Sequence, residues 1–380
     1  WRFAEKCNLG KEINMEKDKV NPLGTEPVGR LLRKFAIPSI ISMLVTSLYN
    51  IVDQFFIGRT VGELGNAATN IAFPLTTMCL AAMLALGIGG AAGFNLNMGA
   101  GNKKKAMYFI GNALTVMFGV GVVIALISLF FMEPLLKFFG SPDSVLPYAK
   151  EYVGVVAFGF PFVMVANGGS HLVRADGSPK FSMYCNLVGA IINVILDYLF
   201  VMRFGWGMSG AALATVIGQI VSFMMVVWYM RHYKTAKIER KHLIPCKEFV
   251  FRTLHLGMAQ GLNQLAMMIV QMNQSLKYYG GLSIYGASIP IACAGIIMKV
   301  NQLYFSICIG VAQGIQPIAS FNTGAGNYDR VKKTYKIAVT CNTVVSTIAF
   351  LIFQLFPRQI IGIFGSGSNE YFMFAEKFFR

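Results

Sequence analysis

The stretch LGNAATNIAFPLTTMCLAAMLALGIGGAAGFNLNMGAGN, residues 64–102, contains no Asp, Glu, Lys or Arg. Because a helix needs about 20 consecutive apolar residues to cross a bilayer, this stretch predicts a membrane-spanning helix. Residues 106–132 form a second uncharged stretch. Only 13% of the 380 residues are charged, whereas charged residues make up roughly a quarter of a soluble domain. These features predict an all-α membrane protein with many transmembrane helices.

Working outward from this stretch, we predict nine spans. They are centred in residues 35–58, 70–97, 106–132, 150–173, 181–202, 208–230, 253–276, 287–316 and 337–357, and a tenth begins near Tyr371. The N-terminal tail and the even-numbered loops hold 24 Lys and Arg residues, and the opposite side holds 6. Since Lys and Arg concentrate in cytoplasmic loops, we predict a cytoplasmic N-terminus in the cell (plasma) membrane. The net charge of +16 then belongs to these loops, and no nucleic-acid partner is expected.

The tetrapeptide Gly-Ala-Gly-Asn occurs at residues 99–102 and again at 324–327, an offset of 225 residues. Two further pairs share this offset: Gly89 with Gly314, and Asn97 with Asn322. An even number of spans separates the two copies. The two halves should therefore have the same topology and be related by an axis along the membrane normal.

The repeat divides the chain into four predicted segments. These are a cytoplasmic N-terminal tail (1–34), a first bundle of six helices (35–230), a cytoplasmic linker (231–252), and an incomplete second bundle with helices seven to nine and the start of the tenth (253–380). A second half of matching length would extend beyond residue 380. We therefore expect a C-terminally truncated protein with two six-helix bundles, of which the second is incomplete.

No enzyme motif is found in the sequence. It contains no H-E-x-x-H, no G-x-S-x-G and no phosphate-binding glycine loop. The seven cysteines include no C-x-x-C pair, so we interpret them as small buried apolar residues. We predict that the protein is not an enzyme and has no cofactor.

Two acidic residues, Asp53 and Asp197, lie well inside predicted spans. An ionised side chain inside a bilayer is costly, so such residues are functional candidates. Asn193 precedes Asp197 by one helical turn and shares its face, and Thr215 in the next span adds a hydroxyl oxygen. These four side chains would bind a hard cation such as Na⁺, or a proton shared between the carboxylates; no other metal site is predicted. The alternative is that the acids form structural hydrogen bonds to neighbouring helices.

Other polar residues in the spans allow more than one interpretation. Pro38 permits a kink in the first span, which either couples to protonation of Asp53 or is static. Lys299 either faces a central cavity, or snorkels or pairs with a carboxylate. The polar side chains of the seventh span are expected to line water or to bond across helices: Gln260, Asn263, Gln264, Gln271, Asn273 and Gln274.

These motifs resemble the multidrug and toxin extrusion (MATE) family, in particular its bacterial MepA-like branch. The resemblance is carried by PLGTEPVGRLL (22–32), LYNIVDQFFIG (48–58), the two Gly-Ala-Gly-Asn sites and NVILD (193–197). It implies two six-helix bundles that form a V. It also assigns a cation site to Asp53, Asn193, Asp197 and Thr215, with Tyr152 and Asn167 lining that cavity. Some family members carry an acid in the seventh helix, and this chain has none there.

The function that this resemblance implies is drug efflux. We expect a secondary active transporter that exports amphipathic, often cationic, compounds by antiport with H⁺ or Na⁺, without an obligatory protein partner. A lipid-linked oligosaccharide flippase of the same superfamily is one alternative, and its anionic substrate would favour several Lys or Arg in the cavity. A passive channel, with a continuous polar pore and no coupled gradient, is the other.

Overall fold

A computed structural model describes residues 21–276 and 288–359 of the chain, and within these ranges the side chains other than those of residues 63 and 270–300. Regular structure in these ranges is helical throughout. The helices are α1 (Pro22–Thr25), α2 (Val28–Thr60), α3 (Glu63–Gly99), α4 (Lys103–Phe130), α5 (Met132–Phe138), α6 (Leu146–Ala175), α7 (Pro179–Asp197), α8 (Gly207–Arg231), α9 (Arg240–Leu243), α10 (Lys247–Leu276), α11 (Ser288–Gly324) and α12 (Tyr328–Leu355). A π-helical segment, Tyr198–Arg203, extends α7.

Eight helices in the described ranges are long and apolar enough to cross a membrane, which confirms the prediction of an all-α membrane protein. They correspond to predicted spans one to six, eight and nine. The predicted seventh span forms part of α10, but the described part of α10 is not among the eight. The Gln and Asn side chains of this helix lower its hydropathy. The predicted tenth span near Tyr371 lies outside the described residues.

The first long helix begins earlier than the sequence analysis placed it. α2 starts at Val28 rather than at residue 35, so the end of the predicted tail is helical. Leu31 and Phe35 are buried and pack with Ile318 and Phe321 of α11. The basic residues of this turn lie on the opposite, exposed face. Hydropathy averages over both faces and therefore misses an amphipathic helix start.

The first bundle is built around α6. This helix packs against α3, α4, α7 and α8, and its Met164 and Leu172 share one core with Phe94 of α3 and Met117 of α4. α7 packs in turn against α8 and α2. Because lipid is as apolar as these side chains, close van der Waals packing holds such helices together.

The predicted linker, residues 231–252, is bound to the first bundle. The side-chain amide of Asn112 on α4 donates to the carbonyl oxygen of His242 at 3.1 Å and accepts from the backbone nitrogen of Cys246 at 2.6 Å. The last residues of the predicted linker belong to α10. Cys79 and Cys185 are free and buried, as predicted, and Cys308 and Cys341 are free and half-buried. Cys246 is disulfide-bonded, which corrects the prediction that every cysteine is a small buried apolar residue. Short-range motifs such as C-x-x-C do not detect pairing between distant cysteines.

The two Gly-Ala-Gly-Asn sites meet where α3 and α11 pack together. A Cβ atom on Gly99 would lie 2.0 Å from the carbonyl oxygen of Phe321, and one on Gly324 would lie 2.0 Å from the carbonyl oxygen of Leu96. The offset of 225 residues relates Gly99 to Gly324 and also Leu96 to Phe321. The two contacts are therefore exchanged by the internal repeat, as an approximate two-fold axis requires.

The same offset relates the packing of α2 on α11 to that of α10 on α3. Gly314 lies against Ala36, and Gly89 lies against Thr253. Gly314 and Gly89 are equivalent by the repeat, so Ala36 and Thr253 are equivalent as well. The contacts of Gly310 with Ile40 and of Gly257 with Ala85 give the same register. In this register α2 and α10 are offset by 217 residues.

Candidate cation site in the first bundle

Asp53 on α2 and Asp197 at the end of α7 carry the two carboxyl groups that the sequence analysis placed inside the membrane. The structure brings these groups close enough to interact. Asp197 is fully buried, at 0% exposure, and Asp53 is half-buried. Two carboxylates held together away from water repel each other, so this arrangement favours the uptake of positive charge.

Several oxygen atoms at this site have no hydrogen-bond donor. Within the described residues, Oδ1 of Asp53 and both carboxylate oxygens of Asp197 are buried and make no hydrogen bond. Oδ1 of Asn193, one helical turn before Asp197, is also buried without a donor. Leaving a buried acceptor unpaired costs about 1–3 kcal/mol, and more for a charged group. A proton or a hard cation bound among these oxygens would relieve that cost.

The side-chain nitrogen of Asn193 lies 3.3 Å from the hydroxyl of Thr215 on α8 and donates to it. Next to this pair is a cavity of about 40 Å³, which is enough for about two or three water molecules. The polar side chains that line it come from α2, α6, α7 and α8: Thr46, Tyr49, Asn167, Asn186, Asn193, Thr215, Gln219 and Ser222. The structure thus brings Asn167 together with Asn193 and Thr215.

Two tyrosines flank the carboxyl groups. Tyr152 on α6, which the resemblance assigned to the cavity lining, lies within electrostatic range of Asp53 and Asp197. Tyr49, one turn before Asp53 on α2, does so as well. A phenol hydroxyl both donates and accepts hydrogen bonds. The two tyrosines can therefore bond to water or to the hydration shell of an ion at this site.

The helix changes its hydrogen-bond pattern directly after Asp197. In the π-helical segment the backbone nitrogen of Phe204 donates to the carbonyl oxygen of Leu199 at 2.9 Å, which is a spacing of five residues instead of four. Such wide turns are rare and often occur at functional sites. Asp197 is therefore the last residue before a shift in side-chain register.

The remaining predicted site residues lie elsewhere. Gln260 and Asn263 on α10 are exposed and Gln264 is half-buried, and none of the three lines the cavity beside Asn193. α10 packs against α3 and α4. Their predicted role in lining a central cavity stays a prediction.

The alternatives stated for Lys299 and Pro38 stay predictions. Lys299 lies on α11, and its side chain is outside the described residues, as are those of Gln271, Asn273 and Gln274. Pro38 is buried within α2, which is helical from Val28 to Thr60 without a break. A kink at Pro38 stays a prediction.

The second bundle has no counterpart of Asp53 at the equivalent position. In the register set by the contacts between the bundles, Asp53 corresponds to position 270, which is a valine. The carboxylate pair is therefore a property of the first bundle. The absence of an acid in the seventh helix, noted in the sequence, agrees with this asymmetry.

Sequence reasoning missed several residues that line the cavity. Thr46 and Tyr49 precede Asp53, Asn186 precedes Asn193, and Gln219 and Ser222 follow Thr215, each at a spacing of four or seven residues. Both of these spacings place side chains on one helical face. A search for polar stripes with helical period, rather than for acids alone, would have found them.

The fold and the site together define a class of protein. A helical membrane protein with an internal repeat and buried carboxylates inside a helix bundle is typical of secondary transporters. The family model for MatE matches residues 38–199 and 265–380. The chain therefore belongs to the MATE family.

Similar proteins include known and probable drug exporters. The chain is 25% identical over 345 residues to the probable multidrug resistance protein YoeA of Bacillus subtilis, covering 89% of this chain and 73% of YoeA. It is 25% identical over 335 residues to the multidrug export protein MepA of Staphylococcus saprophyticus, covering 87% of this chain and 72% of MepA. These relatives are thus described as a probable multidrug resistance protein and a multidrug export protein.

Solved structures show the same fold. An outward-facing multidrug resistance MATE family transporter of the MOP superfamily superposes with a TM-score of 0.86 at 22% identity, covering 96% of this chain and 81% of that one. A MOP superfamily transporter from Pyrococcus furiosus, described as having a binding pocket of reversed polarity that suggests a different function, gives 0.84 at 23% identity, with 94% and 80% covered. At these identities the likeness establishes the fold alone.

Proposed function

We propose that the protein is a secondary active exporter of amphipathic, often cationic, small molecules, driven by H⁺ or Na⁺ entering the cell. It acts in the cell membrane with its N-terminus in the cytoplasm. The observation that carries this proposal is the group of buried oxygens without donors on Asp53, Asn193 and Asp197. Binding a proton or a metal cation offsets the negative charge of the carboxylates and gives these oxygens a partner.

Charge uptake at this site can act on the contact between the bundles through α2. The amide of Asn186 on α7 donates to the hydroxyl of Ser42 at 2.6 Å, and the hydroxyl of Ser47 lies 2.6 Å from that of Ser306 on α11. Asp53 is on the same helix as both serines. Neutralising Asp53 therefore changes the balance of forces on a helix that both bundles hold, which supports a switch between two arrangements.

A flippase for an anionic lipid-linked substrate has less support. Such a substrate calls for cationic side chains around its phosphates, and the cavity of the first bundle is lined by amides, hydroxyls and small residues. A passive channel would not need carboxylates without donors. An ion-coupled exporter uses them directly.

The test is gradient-driven efflux of a cationic dye from proteoliposomes, with H⁺ and Na⁺ gradients imposed separately. Asp53→Asn and Asp197→Asn each remove a group that can bind a proton or a cation, so both should abolish coupled efflux. Asp143→Asn is the matched control, because Asp143 is an exposed acid in a loop. The melting temperature in detergent is measured beside transport. Well-folded Asp53→Asn and Asp197→Asn variants that still pump against a gradient would contradict the proposal.

Thr215→Ala should have a milder effect. The variant loses one hydrogen bond, from Asn193, which is worth about 0.5–1.5 kcal/mol and so about a two- to tenfold change in ion affinity. The carboxylates remain, so coupling persists at higher ion concentration. Complete loss of coupling in a folded Thr215→Ala protein would show that the hydroxyl itself is indispensable.

A further inference from the structure

A buried arginine lies two turns beyond the cavity on α6. Arg174 is 2% exposed and is the only Lys or Arg that is buried in the part of the chain that the structure describes. Asn167, which lines the cavity, precedes it by seven residues. It therefore lies on the same helical face, about 10 Å away along the axis. α6 ends at Ala175. Arg174 therefore lies at the helix end that faces the N-terminal tail and the even-numbered loops, which hold most of the Lys and Arg residues; we call this the basic side.

Polar contacts connect Arg174 to the cavity. Its guanidinium donates to the hydroxyl of Ser182 at 3.5 Å, and this hydroxyl donates to the carbonyl oxygen of Ser170 at 2.9 Å. The hydroxyl of Ser170 lies 3.4 Å from Oδ1 of Asn186, which lines the cavity. We call Asn186, Ser170, Ser182 and Arg174 the inner track. It extends from the cavity beside Asn193 towards the basic side.

Among the described residues, no acid is paired with the charge on Arg174. No ion pair within 4.0 Å among the described residues includes Arg174, and its Nε makes no hydrogen bond. His171 lies 3.3 Å away through Nδ1. Because a guanidinium only donates, that nitrogen is an acceptor and the ring is neutral. Asp176, the nearest acid in the sequence, instead accepts hydrogen bonds from other groups, including the backbone of Lys234.

A fixed positive charge at the end of a polar track acts as a barrier to cations. Arginine stays charged in proteins, and membrane pores use an arginine or a helix dipole to exclude protons and cations. An unpaired buried charge lowers stability, so a neutral side chain would serve a packing role at less cost. The position of Arg174, between the cavity and the basic side, is where such a barrier is needed.

We propose that Arg174 seals the inner track against cations, so that an ion held at Asp53 and Asp197 cannot leak through the first bundle. This inference rests on the proposed ion coupling. It identifies a residue that determines how tightly transport is coupled, separate from the residues that bind the ion. A substrate-free protein with an intact Arg174 should therefore conduct neither H⁺ nor Na⁺.

The experiment measures ion entry into proteoliposomes without any drug, using a pH-sensitive dye and a Na⁺-sensitive dye. Arg174→Gln should raise the entry rate of the coupling ion by about tenfold or more, because repulsion between two charges a few ångströms apart exceeds what a tenfold rate change requires. Arg174→Lys keeps the positive charge, so its rate of ion entry should equal that of the unmodified protein. Adding Asp53→Asn to Arg174→Gln should remove the leak, since the ion then loses its entry site.

Two outcomes overturn the inference. In the first, a folded Arg174→Gln protein admits the coupling ion no faster than the unmodified protein. In the second, the faster ion entry persists in the double variant with Asp53→Asn. If Arg174→Gln does not fold, Arg174→Ala leaves room for water and carries the same expectation. Dye efflux by the unmodified protein is measured in the same vesicles. If the unmodified protein shows no efflux, the proposed function is contradicted. If it shows gradient-driven efflux but Arg174→Gln does not raise the rate of ion entry, only this inference is contradicted.

Discussion

The hydroxyl oxygens of Ser47 on α2 and Ser306 on α11 lie 2.6 Å apart across the boundary between the two halves. Ser306 also donates to the carbonyl oxygen of Gln302 at 2.8 Å, so its single proton is used there and Ser47 is the donor in the pair. Both serines are buried, at 3% and 6% exposure. This contact ties the helix that carries Asp53 to the second bundle.

This distance predicts that the two positions can be cross-linked. Ser47→Cys combined with Ser306→Cys should form a disulfide, because sulfur atoms in a disulfide are about 2.05 Å apart and small side-chain rotations close the gap. If the halves separate during transport, the oxidised protein should be inactive and a reductant should restore efflux. Mass spectrometry identifies the bridge, and the two single cysteine variants are the controls. Full transport by the cross-linked protein would show that this contact stays closed throughout the cycle.

The close approach at Gly99 gives a second prediction. A Cβ there would lie 2.0 Å from the carbonyl oxygen of Phe321, so Gly99→Ala must push α3 and α11 apart. Overpacking of this kind costs about 1–3 kcal/mol, and the melting temperature in detergent should fall. Gly119→Ala on α4 is the matched control, because no atom lies within 4 Å of the added carbon, and helix propensity alone should make it neutral or slightly stabilising. Equal melting temperatures for Gly99→Ala and Gly119→Ala would contradict the close packing of α3 on α11.

The parts of the site that could be predicted from sequence are those with a strong local signal. An acid inside an apolar run is rare, so Asp53 and Asp197 stand out individually. The spacing of Asn193 and Asp197 then follows from helical geometry. What joins them to Asp53 is the packing of α7 against α2, which no local pattern contains.

Arg174 shows what a residue-by-residue analysis of the sequence missed. The predicted span ended at residue 173, so this arginine was counted among the loop charges that set orientation. In the structure α6 continues to Ala175 and the guanidinium is buried. The ends of spans are set by packing and hydrogen bonds rather than by hydropathy, and charged residues near those ends are therefore the hardest to assign.

Two acids outside the membrane-spanning helices should respond very differently to replacement by an amide. Asp176 accepts hydrogen bonds from the hydroxyl of Tyr229 at 2.9 Å and from the backbone of Lys234 and Thr235 at 2.7 and 3.1 Å. Asp176→Asn places an amide donor against these donors and should destabilise the protein by about 1–3 kcal/mol. Glu133→Gln is the control and should barely change the melting temperature, because the Glu133 side chain is 46% exposed and ion pairs near the surface contribute little.

The pH dependence of these two groups has opposite signs. Burial raises the pKa of the Asp176 carboxyl despite its hydrogen bonds, so its contribution favours folding at low pH and is lost as the pH rises through the raised pKa. Hydrogen bonds from Lys137 and Lys150 lower the pKa of Glu133 to about 2. The small contribution of Glu133 to folding stability is present above the pKa that this residue has in the unfolded chain, and it is lost as the pH falls towards 2. Melting curves of both variants across pH check these signs, and a Glu133→Gln protein less stable than Asp176→Asn would contradict the assignment.

The orientation in the membrane can be tested with two cysteine substitutions in exposed segments, one near each end of α6. Asp143 precedes this helix and is exposed, and Lys237 lies in the exposed chain after α8. The backbone nitrogen of Thr235 donates to Asp176, so the chain near Lys237 is on the same side as the end of α6, and Asp143 is on the other. The 24 basic residues on the tail and even loops, against 6 opposite, predict that the Lys237 side is cytoplasmic. A membrane-impermeant maleimide should label Asp143→Cys in intact cells and Lys237→Cys only after the membrane is opened, with the unmodified chain as background. The reverse pattern would refute the orientation, and labelling of both positions from outside would contradict the passage of α6 through the bilayer.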